Sequence, residues 1–111
     1  MADIGPIDQY DFRTLTVTVT NAGGSVRDIT NDRIIFKING LGVTKDSNNG
    51  AGEVEKTNPA GGIAKVKINA GDLAAGMPGT YDYEVVVIGT GVRSTVTNGT
   101  IETARSVITT T

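Results

Sequence analysis

The sequence predicts an all-β domain, a sandwich of about seven or eight short antiparallel strands with Greek-key connections. Three observations predict this class. Several segments alternate apolar and polar residues with a period of two, which is the signature of a half-buried strand. Turn residues, with 15 glycines among 111 residues, separate these segments at short and regular spacing. Only the segment around residues 71–76 is typical of a helical turn.

The segment Gly79 to Ile88 predicts the central strand of the sandwich. Tyr81, Tyr83, Val85 and Val87 share one face, and two carboxylates begin the other. The last four residues of the segment are all apolar, so we expect its far end to be buried on both sides. Pro78-Gly79 and the Gly89 to Gly91 stretch supply turns at the two ends.

The remaining strands are predicted from the same pattern. Three segments alternate clearly, with apolar residues facing inward at every second position. They are Asp11–Thr20 (Leu15, Val17, Val19), Arg33–Asn39 (Ile34, Phe36, Ile38) and Ile63–Asn69 (Ala64, Val66, Ile68). The weaker segments are Leu41–Lys45, Glu53–Thr57, Val92–Thr97 and Thr100–Thr103. We expect Asn39-Gly40 to form a hairpin turn and Asn98-Gly99 to form a bend or a bulge in the last strand.

The chain divides into an N-terminal extended arm (1–12), a sandwich (13–103) and a C-terminal extended tail (104–111). Gly5-Pro6 interrupts any regular element in the arm. In the helical turn, Asp72 is suited to accept bonds at the start, and Leu73 and Met77 are expected to close the open end of the sandwich.

Composition excludes several functions. A net charge of −2 without a basic stripe argues against nucleic acid as a partner. The chain has no cysteine and no histidine, which removes thiolate metal sites and the commonest general base. No apolar run approaches the roughly 20 residues of a membrane helix, and residues 1–10 do not resemble a signal peptide. We therefore predict no enzyme activity, no cofactor, no metal and no membrane partner.

Three groups of residues could carry chemistry, and each also has a structural interpretation. Asp82 and Glu84 share a strand face and could bind calcium, but they are also typical of a solvated face opposite lysines such as Lys65 and Lys67. The stretch 46–50 resembles a calcium loop only weakly and favours a polar hairpin tip. Tyr81 and Tyr83 could stack on sugars if exposed, whereas their apolar neighbours favour core packing.

One set of segments, in this order and spacing, resembles a known family. The segments are Asp28–Thr30, Arg33–Ile38, Gly62–Ile68, Ala70–Leu73, Pro78–Val85, Gly91–Val96 and Asn98–Ile101. The passage Pro-Gly-Thr-Tyr-Asp-Tyr-Glu after Leu73 is the most specific of them. The chain is similar to the small immunoglobulin-like modules of tailed-phage virion proteins, such as the N-terminal domain of baseplate upper proteins. This resemblance implies an immunoglobulin-like sandwich.

The resemblance also implies a non-enzymatic structural protein of a bacteriophage virion, most simply a capsid decoration (cement) protein. The alternatives are a tail, neck or baseplate accessory protein, or a carbohydrate-binding or adhesion domain. Since the sequence ends at Thr111, we expect a free-standing module rather than a receptor scaffold. Its partners would be the major capsid protein or tail and baseplate proteins, with possible homo-oligomers on the particle. The residues expected to contact them lie in the arm and tail: Ile4, Pro6, Ile7, Tyr10, Phe12, Val107 and Ile108.

Overall fold

The computed structural model describes residues 4–21, 23–48, 53–69, 71–89 and 92–105. Eight strands and two short 3-10 turns make up the regular structure of these residues. The strands are β1 (Ile4–Asp8), β2 (Arg13–Thr18), β3 (Arg33–Ile38), β4 (Val43–Asp46), β5 (Val54–Asn58), β6 (Ile63–Ile68), β7 (Gly79–Gly89) and β8 (Val92–Ala104). The 3-10 turns are Pro59–Gly61 and Asp72–Ala75.

The strands form a five-stranded sheet of order β1-β8-β7-β3-β4 and a three-stranded sheet of order β2-β6-β5. Strands β2, β6 and β5 occupy the places of B, E and D of an immunoglobulin domain, and β3, β4, β7 and β8 those of C, C′, F and G. Every pairing is antiparallel except that of β1 with β8. The all-β, immunoglobulin-like sandwich predicted from the sequence is confirmed.

The core lies between the sheets and is formed by the alternating residues that the sequence identifies. The inward residues of β3 and β6 are fully or almost fully buried: Ile34, Phe36, Ile38, Ala64, Val66 and Ile68. Val17 of β2 and Val19, just after this strand, are also buried. Phe36 and Tyr83 pack with ring centroids 5.7 Å apart. Burial of each Val, Ile or Phe side chain in this set stabilises the fold by about 1.5–3 kcal/mol.

Strand β7 is central, as predicted, and pairs with β3 on one side and β8 on the other. Val85 and Val87 face the core and are 1 % and 0 % exposed. Val86 points to the opposite face and is still only 5 % exposed. The strand is therefore buried on both faces at Val85–Val87, as its run of apolar residues predicts, whereas Ile88 at the end of the run is only half-buried.

The bulge in the last strand lies elsewhere than predicted. Val85 is paired with Thr97 and Val86 with Thr95, so the extra residue of β8 falls between them. At Asn98 and Gly99 the register is unbroken. Gly99 is buried and lies directly opposite Tyr83 in this regular part of the ladder.

The helical turn at 72–75 closes one end of the sandwich with Leu73 alone, which is fully buried. Met77, expected to help, is 81 % exposed, because the chain has already turned outward ahead of β7. Asp72 does not cap the next amides. Its carboxylate accepts a bond from the Asn69 N–H (2.8 Å) and pairs with the Lys45 ammonium (2.7 Å).

Candidate interaction surfaces

The N-terminal segment belongs to the sandwich, which corrects the prediction of an arm over residues 1–12. Ile4–Asp8 forms edge strand β1, and Ile7 is fully buried in the core. Gln9 is also buried, and its Nε2 donates to the carbonyls of Leu73 (3.3 Å) and Gly76 (2.9 Å). The physical reason is that Ile7 contributes apolar burial while Gln9 satisfies two carbonyl groups at the end of the sandwich.

Gly5 allows β1 to approach β8 closely. Its φ is +115°, and a Cβ at this position would lie 2.6 Å from the Glu102 carbonyl oxygen. Gly5-Pro6, which was predicted to interrupt regular structure, therefore lies where β1 packs closely against β8.

The structure separates the residues that were predicted to contact a partner. Ile7 is in the core, and Ile4 and Tyr10 are half-buried. Pro6 is exposed, and the Phe12 side chain is 59 % exposed. Val107 and Ile108 lie outside the described residues. Among the predicted residues that the structure describes, only Pro6 and Phe12 are exposed.

One end of the sandwich gathers the features suited to contact. We call it the 72–75 end, formed by residues 9–13, the turn at 72–75 with Met77, and residues 104–105. The parallel pairing of Asp8 with Ala104 brings both of these chain segments to it. Phe12 and Met77, two of the three exposed large hydrophobic residues in the described ranges, lie here. The third, Val26 (56 % exposed), lies at the opposite end, where it bridges to Thr20 beyond β2.

The outer face of the five-stranded sheet is polar. Asp82 and Glu84 are exposed on it, beside a shallow depression of about 480 Å³. Their basic neighbours are Lys37, directly across from Glu84, and Arg93, 3.9 Å from the Glu84 carboxylate. The expected partners Lys65 and Lys67 are on β6 of the other sheet, where Lys67 pairs with Glu55 at 3.2 Å.

The two tyrosines of β7 are structural. Tyr83 is 5 % exposed against Phe36. Tyr81 is half-buried, and its hydroxyl donates to the Met77 carbonyl, four residues earlier. A tyrosine near the start of strand F that bonds back to the upstream backbone is the tyrosine corner of immunoglobulin-like domains. The core-packing interpretation of these tyrosines therefore holds over that of a sugar platform.

The described start of the loop after β4, residues 46–48, is held by an ion pair between Asp46 and Arg33. The Arg33 Nε donates to both Asp46 carboxylate oxygens, at 3.0 and 3.1 Å. This hydrogen bonding holds the pKa of Asp46 below its usual value. Asp46 also accepts a bond from the Asn48 N–H at 2.9 Å. Residues 49 and 50 of the weak calcium-loop pattern lie outside the described residues.

Within the ranges that the structure describes, no group of three acidic residues is placed to hold a metal ion. No helix among these residues is long and apolar enough to cross a membrane. No protein-family model matches the chain, and no curated protein matches it significantly. Sequence reasoning missed Gln9 and expected Met77 inside the sandwich, although the Met77-Pro78-Gly79 stretch marks an exposed turn at that point.

Proposed function

We propose that the chain is a non-enzymatic structural protein of a bacteriophage virion, and that it decorates the capsid surface. Two things support this proposal. The sequence resembles the immunoglobulin-like modules of tailed-phage virion proteins, and the strand order is that of an immunoglobulin-like sandwich, the fold that this resemblance implies. A resemblance of fold alone does not define a function, so the attachment surface carries the rest of the argument.

The observation that carries the proposal is the composition of the 72–75 end. Phe12 and Met77 expose apolar side chains there. Exposed aromatic and methionine side chains are enriched at protein interfaces, because they contribute much apolar area on contact. In this proposal the 72–75 end contacts the major capsid protein on the surface of the particle.

Attachment in a tail, neck or baseplate ring would use the same end. The two placements differ in stoichiometry, since a capsid carries many more subunits than a ring. We would measure the copy number of this chain in purified particles by quantitative mass spectrometry against the major capsid protein. A ratio near that of the capsid protein is expected. A ratio of a few per cent would replace decoration with a ring, and absence from the particle would contradict both placements.

The attachment end is tested with the double variant Phe12→Ser and Met77→Ser. We expect a loss of about tenfold or more in binding to particles stripped of this protein, because two apolar contacts are removed. The folded domain should keep its stability, since both side chains are exposed. Co-sedimentation with particles measures the binding.

Val26→Ser is the matched control, because it removes a comparably exposed apolar side chain at the opposite end. It should bind as the wild type does. Equal binding by the double variant and the control would contradict attachment through the 72–75 end.

A carbohydrate-binding role is the second candidate, and one observation favours it. The depression on the five-stranded sheet is lined by amide, carboxylate and hydroxyl groups from Asn39, Asp82, Glu84, Asn98 and Thr100. Such groups suit sugar hydroxyls, although the nearby tyrosines are packed inside. Binding of the intact protein on a glycan array, abolished by Asp82→Ala, would support this role over decoration.

A further inference from the structure

Met77 is the most exposed large hydrophobic residue in the described ranges. It is 81 % exposed, against 59 % for Phe12 and 56 % for Val26. The chain contains two methionines, Met1 and Met77, and no cysteine. Met77 therefore carries the one sulfur atom among the residues that the structure describes.

The backbone around Met77 is held on both sides. The Gly76 carbonyl accepts a bond from the Gln9 Nε2 at 2.9 Å, and the Met77 carbonyl accepts one from the Tyr81 hydroxyl. A Cβ at Gly76 would lie 2.7 Å from the Leu41 Cδ2 and 2.8 Å from the Tyr81 hydroxyl oxygen. The backbone that carries Met77 is therefore packed directly against the domain.

This packing fixes where the Met77 thioether lies. Leu73 is fully buried and already fills the apolar end of the sandwich. With its backbone held and that space taken, the Met77 side chain has no place in the core. Folding therefore leaves the thioether in water, and a bound partner is what can cover it.

An exposed thioether reacts with peroxides, and exposure governs the susceptibility. The sulfur lone pair attacks one oxygen of hydrogen peroxide, so the S–O bond forms as the O–O bond breaks. The departing hydroxide takes the proton of the transferred oxygen and leaves as water. The sulfur is oxidised by two electrons, which the peroxide gains. The product is methionine sulfoxide, a polar side chain whose oxygen accepts hydrogen bonds.

We propose that Met77 is an oxidation site that controls attachment through the 72–75 end: the thioether form attaches, and the sulfoxide form does not. This control rests on the proposed function and adds the regulation of the same surface. A contact built for an apolar side chain offers no donor to the sulfoxide oxygen, and a polar group buried without a partner is costly. The Phe12 ring at the same end does not react with peroxide, so the response belongs to Met77.

Attachment and oxidation should also oppose each other in the reverse direction. A partner that covers the Met77 thioether excludes peroxide from it, because the reaction requires an accessible sulfur. The attached protein should therefore be oxidised at Met77 more slowly than the free protein.

The first test treats the purified protein with hydrogen peroxide and removes the excess before stripped particles are added. Co-sedimentation measures binding, and mass spectrometry of peptides reports oxidation at each methionine. We expect oxidation at Met77 to weaken binding by about tenfold or more. The midpoint of urea unfolding should not change, because the side chain is exposed. Treatment with the two methionine sulfoxide reductases, one for each epimer, should restore binding.

Two variants separate oxidation at Met77 from other effects of peroxide. Met77→Leu keeps an apolar side chain of similar volume without sulfur, so it should bind as the untreated wild type does and stay insensitive to peroxide. This variant retains Met1, and it therefore also controls for oxidation there. Met77→Gln places a polar side chain at the position without any oxidant and should bind as weakly as the oxidised wild type.

The second test adds peroxide to the wild type already bound to particles. The oxidation rate at Met77 should fall by about tenfold or more relative to the free protein. Equal binding by the oxidised and untreated wild type, or equal sensitivity of Met77→Leu to peroxide, would overturn the inference and leave attachment standing. Failure of the untreated wild type to bind particles would contradict the proposed function, and the inference would fall with it.

Discussion

The two sheets differ in how their edges end. In the five-stranded sheet, side chains of the edge strands β1 and β4 contact segments distant in sequence. Ile7 of β1 is buried in the core, and Lys45 of β4 pairs with Asp72 at 2.7 Å. In the three-stranded sheet, β2 shows a regular pattern of threonines and an edge without such contacts. Regular alternation makes a strand easy to predict, and without a proline, a bulge or an inward charge it also leaves the edge of that strand available to another strand.

The difference has a consequence for mutation. Substitution of the inward-facing edge residues of the five-stranded sheet, Ile7 and Lys45, should reduce the stability of the fold, because both are buried. Substitution of the outward-facing threonines of β2 should leave the fold intact, because their side chains are exposed. Three experiments on the first class test this division.

The largest effect is expected at Ile7. Ile7→Ala should reduce the free energy of unfolding by about 2–5 kcal/mol, because it leaves a cavity at a fully buried site. Urea denaturation measures the change. Pro6→Ala, at the exposed neighbouring position, is the control and should have a small effect.

Deletion of residues 1–10 extends this test. It removes β1 together with both Gln9 bonds to the 72–75 end, so the domain should be strongly destabilised. A truncated domain as stable as the full chain would show that this segment is an independent arm after all.

The next effect concerns the buried ion pair of β4. The Lys45 side chain is 6 % exposed, whereas that of Asp72 is 26 % exposed. Asp72→Asn leaves a buried ammonium without its counter-charge and should cost about 3 kcal/mol. Lys45→Met leaves a carboxylate that still reaches water, so its cost should be smaller.

The order of these two variants in thermal or urea unfolding is the measurement. A larger loss for Lys45→Met would contradict the assignment of the lysine as the buried partner. Lys45→Met also removes the inward charge of an edge strand, so increased self-association of this variant would sharpen the contrast with β2.

The smallest effect concerns Asp46, whose pKa is lowered chiefly by its hydrogen bonds with Arg33. A lowered folded-state pKa gives stability that is present above the unfolded value, about 4, and is lost as pH falls through the folded-state value. Asp46→Asn should cost roughly 0.5 kcal/mol at pH 7, since Arg33 is largely exposed. The difference from wild type should vanish in acid, and a difference independent of pH would exclude the ion pair as its cause.

The position of the N-terminal segment in the fold could not be predicted from the sequence. Gly5-Pro6 indicates an interruption, and nothing local reveals that Ile7 reaches the core or that Gln9 bonds residues more than 60 positions away. The prediction that Lys65 and Lys67 lie opposite Asp82 and Glu84 was also wrong, because the sequence does not show which sheet each strand joins. The exposed apolar residues of the 72–75 end, Phe12 and Met77, could not be paired by sequence reasoning either, since they are distant in the chain.

Local pattern was enough to predict strands β2, β3, β6 and β7 and the core residues they carry. Alternation at β2, β3, β6 and β7 depends on local geometry, because each side chain faces opposite to its neighbour whatever the strand pairs with. Only the tertiary structure decided the order of strands, the incorporation of β1, the position of the bulge in β8 and which edge stayed open. These features depend on contacts between segments far apart in the chain, and such contacts have no local signature because many registers satisfy the same alternation.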